Sequence, residues 1–136
     1  MPDADAGPAA GRTFAAAALA ALLAAAGVLH LVRPRPFERL IPGPLGNPRR
    51  WVLASGAAEL VCATAVAFPR TRRIGGLATG ALFVAVFPGN VKMALDSRPG
   101  SESWTSRPAV AWSRLPLQLP LVGWALAVRR PRSEHP

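Results

Sequence analysis

One cysteine, two histidines and no tyrosine leave little for site chemistry in a chain of 136 residues. Cys62, being alone, can form neither an internal disulfide nor a Cys-x-x-Cys redox pair nor a thiolate zinc site. His30 and His135 lie far apart, and His135 sits in a polar tail, so no dedicated metal site is expected. No catalytic residues are assigned, and an intrinsic catalytic activity is the less expected reading. Acids are scarce as well: 7 Asp and Glu stand against 16 Lys and Arg, a net charge of +9. In a soluble protein that excess would point to nucleic acid. Here the basic residues flank apolar runs as juxtamembrane Lys and Arg do, with no basic helix face and no basic stretch interleaved with aromatics. Nucleic acid is therefore not an expected partner.

What is present in quantity is segregated apolar sequence. Arg and Pro crowd into connectors, while Ala, Leu, Val and Phe fill four runs that approach membrane-spanning length. The expected fold is all-α, an antiparallel four-helix transmembrane bundle. A small, Pro/Gly-containing leader, 1–12, is expected to be disordered. The first span covers about 13–32. Ala24-Ala25-Ala26 resembles a signal-peptidase site. Against cleavage, the leader has Asp3 and Asp5 against only Arg12, and the apolar run exceeds a normal signal core. A retained helix is expected. The connector 33–50 carries five prolines, which rule out a regular helix across it. Its middle, Phe37–Ile41, reads either as one amphipathic turn at the interface or as part of a solvated loop.

The second span, about 51–68, anchors the reading. It is WVLASGAAELVCATAVAF, with one formal charge, Glu59, at its centre. An acid placed there in a bilayer is costly and is by default a functional candidate. Ser55, Glu59, Cys62 and Val66 share one helical face, expected to look into the bundle. The basic turn PRTRR makes the third span, about 74–95, an antiparallel neighbour of the second. Gly76 and Gly80 form a GxxxG pair, a helix-packing face that continues through Phe83, Phe87 and Asn90. Pro88 is expected to kink this helix and free the Val84 carbonyl. The fourth span, about 108–128, contains Arg114, Pro116, Gln118 and Pro120, and a basic tail, 129–136, follows.

Depth assembles the candidate site. With four antiparallel spans, the end of the first, start of the second, end of the third and start of the fourth share a leaflet. His30 is near the end of its span. Glu59 is about 12 Å into the second span, Asn90 about 7.5 Å into the third and Gln118 about 6 Å beyond Arg114, at 1.5 Å per residue. His30, Glu59, Asn90, Arg114 and Gln118 thus form a polar half-cavity, the place for ligand binding or proton handling. Two states of Glu59 stay open: ionised beside Arg114, its expected partner, or a protonated His30, or neutral and proton-holding through desolvation. The basic residues divide almost evenly between the two sides, so charge bias alone does not orient the chain. PRTRR and RRPR directly abut apolar runs, and on that ground the termini are assigned to the cytoplasmic side of the cell membrane.

Five pieces, GVLHLVRPRPFERLIP (27–42), ASGAAELVCA (54–63), the PRTRR turn, ALFVAVFPGNVKMALD (81–96) and RLPLQLPLVGWAL (114–126), resemble small DoxX-like integral membrane proteins. The resemblance implies a four-helix membrane bundle. Some relatives are linked with quinone-coupled sulfur oxidation or with membrane oxidoreductase assemblies in oxidative-stress defence. It therefore implies an accessory or quinone-interacting subunit of a membrane redox system, with quinone as the candidate ligand and a membrane oxidoreductase as partner. With no redox cysteine pair here, a self-contained thiol reaction is not carried over. The alternatives are a small proton-coupled transporter or pore, which would need a homo-oligomer built through Gly76 and Gly80, and a ligand-free membrane scaffold.

Overall fold

The structure, a computed structural model, describes residues 6–129, with side chains from Gly7 onward. Every regular element among them is helical. The first helix, α1 (Ala6–Val32), begins earlier than the sequence suggests, so residues 6–12 of the expected disordered leader are ordered helix. Ala9 and Ala10 are strong helix formers, and Pro8 falls in the first turn, where its missing N–H is not needed. Residues 1–5 and 130–136, with most of the expected basic tail, lie outside the described residues. Pro34 and Pro36 end α1, and a single turn, α2 (Arg35–Glu38), carries Phe37 into the interior. Pro34 and Phe37 of the first connector are thus buried, while residues 43–47 stay exposed.

Asn47 caps the next helix, α3 (Pro48–Ala67), accepting from the Arg49 N–H at 3.0 Å, with Pro48 in the first position. After a turn at Phe68–Thr71 the chain re-enters as α4 (Arg72–Ala85) and α5 (Phe87–Asp96). The expected kink is a one-residue interruption at Val86, two residues before Pro88, whose missing N–H would have continued the ladder. A 3₁₀ turn at Trp104–Ser106 leads into α6 (Pro108–Val128), which runs unbroken through Pro116 and Pro120.

Three of these stretches, Gly7–Val32, Pro48–Ala67 and Arg72–Asp96, are long and apolar enough to cross a membrane. α6 is diluted by Arg114, Gln118 and its prolines and does not reach the same apolarity. Packing runs from α1 to α3, from α3 to α4, from α4 and α5 to α6, and back from α6 to α1. The last contact includes a hydrogen bond from Trp124 Nε1 to the Ala15 carbonyl at 3.0 Å. The main core joins Ala16, Leu19, Ala20 and Leu23 of α1 to Cys62, Ala63 and Val66 of α3 and Ala125 of α6. Half of that set is alanine, and the closest crossings are made at glycine. Small interface residues of this kind suit helices in lipid, where apolar burial alone does not drive association. The outer faces carry Phe14, Val61, Phe68, Ile74, Val84 and Leu119, each more than half exposed. In water this surface would be an aggregation liability, whereas hydrocarbon would solvate it.

The inward face expected of α3 is present: Glu59, Cys62 and Val66 are buried and Ser55 is half-buried, with Val52, Gly56 and Ala63 beside them. The stripe expected on the third span is cut at Val86. Gly76 and Gly80 are buried and Asn90 is half-buried against α6, but Phe87 is 40% exposed.

Candidate functional site

Two glycines bring the site together. A Cβ on Gly27 would lie 2.8 Å from the Gly56 carbonyl oxygen, and one on Gly56 would lie 2.9 Å from the Gly27 carbonyl oxygen. α1 and α3 therefore cross backbone to backbone. His30 packs against Gly56 at this crossing, and Glu59 stands three residues further along α3; their Nδ1 and Oε2 are 2.6 Å apart. Their side chains are only 17% and 10% exposed. Whether the carboxyl group is ionised or neutral, a hydrogen bond of this kind holds one proton between the two atoms. It also fixes the imidazole, leaving Nε2 as the atom that can exchange a proton or a hydrogen bond with something else. Among the described residues Nε2 has no hydrogen-bond partner.

An aromatic row leads away from the pair. The Phe37 ring meets the His30 ring edge-on, with centroids 4.3 Å apart at 88°, and Trp104 also meets Phe37 edge-on, at 6.4 Å and 80°. The Arg114 guanidinium lies over Trp104, 5.6 Å from the ring centroid. Arg114 is therefore not the partner of Glu59 that the sequence led us to expect. His30 fills that place, and the arginine is held by a cation–π contact with a loop residue.

A second polar cluster stands on α5 and α6. Asn90 Nδ2 donates to Gln118 Oε1 at 2.9 Å, and Gln118 Nε2 donates to the Phe83 carbonyl oxygen. The expected free acceptor was Val84, but the Val86 N–H turns back onto Val84 as well as Leu82 at the break. The carbonyl that receives a side chain is Phe83, one residue earlier. Gln118 thus closes the gap that the broken helix leaves in its backbone ladder.

Of the five candidates, the structure joins His30 to Glu59 and Asn90 to Gln118, and places Arg114 on Trp104. Phe37, Trp104, Gly27 and Gly56 belong to the same assembly and were missed. An apolar residue in a Pro-rich connector, a tryptophan in a polar loop and two glycines on different helices carry no spacing signal. Gly76 and Gly80 pack inside the chain: a Cβ on Gly76 would lie 2.7 Å from the Ala125 carbonyl oxygen, and one on Gly80 would lie 3.4 Å from Leu126. The face on which an oligomeric transporter was to be built is covered by α6. Among the described residues no group of three or more His, Cys, Asp or Glu side chains is placed to hold a metal.

A family model described as "Domain of unknown function (DUF8561)" matches residues 19–129. A search of curated proteins and a search of solved structures each find no match.

Proposed function

The match covers most of the chain, which therefore belongs to the DUF8561 family, and we propose that this member is a DoxX-like accessory subunit of a membrane redox system. In this reading α1, α3, the α4–α5 pair and α6 cross the cell membrane as an antiparallel four-helix bundle with both termini in the cytoplasm, and the partner is a membrane oxidoreductase. The site is the His30–Glu59 pair, which hydrogen-bonds a quinone.

One observation carries the reading: a carboxyl–imidazole pair 2.6 Å apart within apolar helices, with His30 Nε2 left over. The residues fit the ligand. Nε2 is a hydrogen-bond donor for a carbonyl oxygen when protonated, and Phe37 supplies an apolar ring beside it for a flat head group. A bound quinone supplies two-electron, two-proton redox capacity. The chain's part is to hold or pass a proton at Nε2. A protonated His30 against an ionised Glu59 is net neutral, so the pair can carry a transferable proton without adding net charge to the membrane interior.

The test is binding of a short-chain ubiquinone to the full chain in lipid nanodiscs, followed by quenching of tryptophan fluorescence. Glu59→Gln preserves shape but weakens the bond that fixes the imidazole. A loss of about tenfold in affinity, the equivalent of about 1.4 kcal/mol, is expected. Unchanged binding in both Glu59→Gln and His30→Gln would remove the site.

The scaffold reading also has an observation in its favour: Asn90, Gln118 and the Phe83 carbonyl satisfy one another. It requires that Glu59→Ala lower stability only, and that an apolar side chain of similar volume, as in Glu59→Met, restore function in the cell.

A further inference from the structure

We infer that the end of the molecule opposite His30 holds a binding pocket for the phosphate of an anionic phospholipid head group. The inference rests on the membrane reading above but not on the quinone site. A cleft of about 490 Å³ opens between the start of α1, the turn before α4 and the end of α6. Its lining includes four arginines, Arg12, Arg72, Arg73 and Arg129, with Thr13 and Trp124 and no carboxylate among the described residues. Three apolar helices begin or end at this level, so in a bilayer the cleft lies at head-group depth. Basic pockets between helix ends are where anionic lipid head groups bind.

The cleft is built rather than accidental. Arg72 is held in place, its Nε donating to the Val66 carbonyl at 2.9 Å and its Nη2 to Ala67 at 3.2 Å, which closes the end of α3. The Gly76 crossing lets the end of α6 come close, since a Cβ there would lie 2.8 Å from Arg129 Cβ. Arg129 Nε is buried and has no hydrogen-bond partner among the described residues, a cost that an anionic oxygen would remove. Thr71, at the head of α4, spends its hydroxyl on the Ala65 carbonyl at 2.7 Å and makes no side-chain cap. The first amides of α4 therefore add their positive end to the same region. Trp124 supports the edge of the cleft, its indole N–H already bonded to Ala15, and presents an apolar body as interfacial tryptophans do.

The experiment uses the full chain in detergent, with native mass spectrometry and thermal unfolding in the presence of dihexanoyl phosphatidylglycerol, dihexanoyl phosphatidylcholine or inorganic phosphate. Arg12 and Arg73 are exposed and make no described hydrogen bond, so Arg12→Gln/Arg73→Gln spares the α3 cap. The wild type is expected to retain phosphatidylglycerol in preference to phosphatidylcholine. At about fivefold per basic residue near an anionic head group, the double variant is expected to lose about 25-fold in affinity. Arg12→Lys/Arg73→Lys, which keeps the charge, is expected to retain most of it. Equal retention by wild type and the Gln variant overturns the pocket. An equal shift from inorganic phosphate alone overturns its assignment to lipid. Carbonate extraction of cell membranes reports insertion separately, so loss of the membrane reading is distinguishable from loss of the pocket.

Discussion

Gly56→Ala adds one methyl group where α1 and α3 touch. The new carbon would start 2.9 Å from the Gly27 carbonyl oxygen, 2.9 Å from His30 Cβ and 3.2 Å from Leu31 Cγ. Carbon–oxygen contacts settle at about 3.3 Å or more, and carbon–carbon contacts at about 3.5 Å or more. The helices must therefore part by about 0.5 Å at the crossing. His30 lies against Gly56 at the crossing itself, so its 2.6 Å bond to Glu59 stretches by a similar amount. Overpacking costs about 1–3 kcal/mol, and weakening the polar contact adds up to about 0.6 kcal/mol. Alanine's helix preference over glycine returns up to about 1 kcal/mol. A net destabilisation of about 1–2 kcal/mol is expected from unfolding of the purified protein in mixed detergent. Gly123→Ala is the matched control: it lies in α6 with nothing within 4 Å of the added carbon, and should be neutral or mildly stabilising. Gly27→Ala combined with Gly56→Ala should cost less than the sum, since parting the helices for one methyl group also makes room for the other. If Gly56→Ala is as stable as Gly123→Ala, the tight crossing is not what holds the pair together.

Two further outcomes follow from neighbouring contacts. Gln118→Leu removes the bonds to Asn90 and to the Phe83 carbonyl. At about 0.6 kcal/mol each it should lower stability by about 1 kcal/mol in the same unfolding assay. Phe37→Ala empties a site where the ring is 6% exposed. It should cost about 3 kcal/mol, free His30 from its aromatic neighbour, and speed trypsin cleavage within the connector between α2 and α3.

Much of this arrangement could be read from the chain because single exceptions stand out against monotonous apolar sequence. Glu59 is the only formal charge between Trp51 and Phe68, and its i, i+3 and i+7 companions on one face predict the burial that is observed. Counting depth from helix ends put His30, Glu59, Asn90, Arg114 and Gln118 at one end of the bundle, but it did not assign the pairs His30–Glu59 and Asn90–Gln118. Depth gives no azimuth, however, so it could not tell that Arg114 faces Trp104 and not α3. Nor could it separate one polar cavity from two distinct clusters. The break at Val86 was anticipated from Pro88, but the identity of the acceptor was not, because it depends on how the last turn of α4 closes on itself. The early start of α1 was obscured by Gly7, Pro8 and Gly11, which read as leader residues although a proline in a first turn is compatible with helix. Packing of Phe37 depends on contacts with His30 and Trp104, residues distant in sequence, and local pattern cannot reveal it.

The most direct measurement is sided cysteine labelling in intact cells, in a Cys62→Ala background. Single cysteines would be placed at Gly11, Gly43, Ser101 and Ser133. Additions at Gly11 and Gly43 meet open space, so neither perturbs packing. A four-span bundle enclosing His30 and Glu59 requires that Gly43 and Ser101 positions react with a membrane-impermeant maleimide from one face only. Gly11 and Ser133 positions must react only after the opposite face is opened. Labelling of the Ser101 and Ser133 positions from the same side would mean that α6 does not cross. Gln118 and Arg114 would then lie outside the membrane interior, and the enclosed site would have to be abandoned.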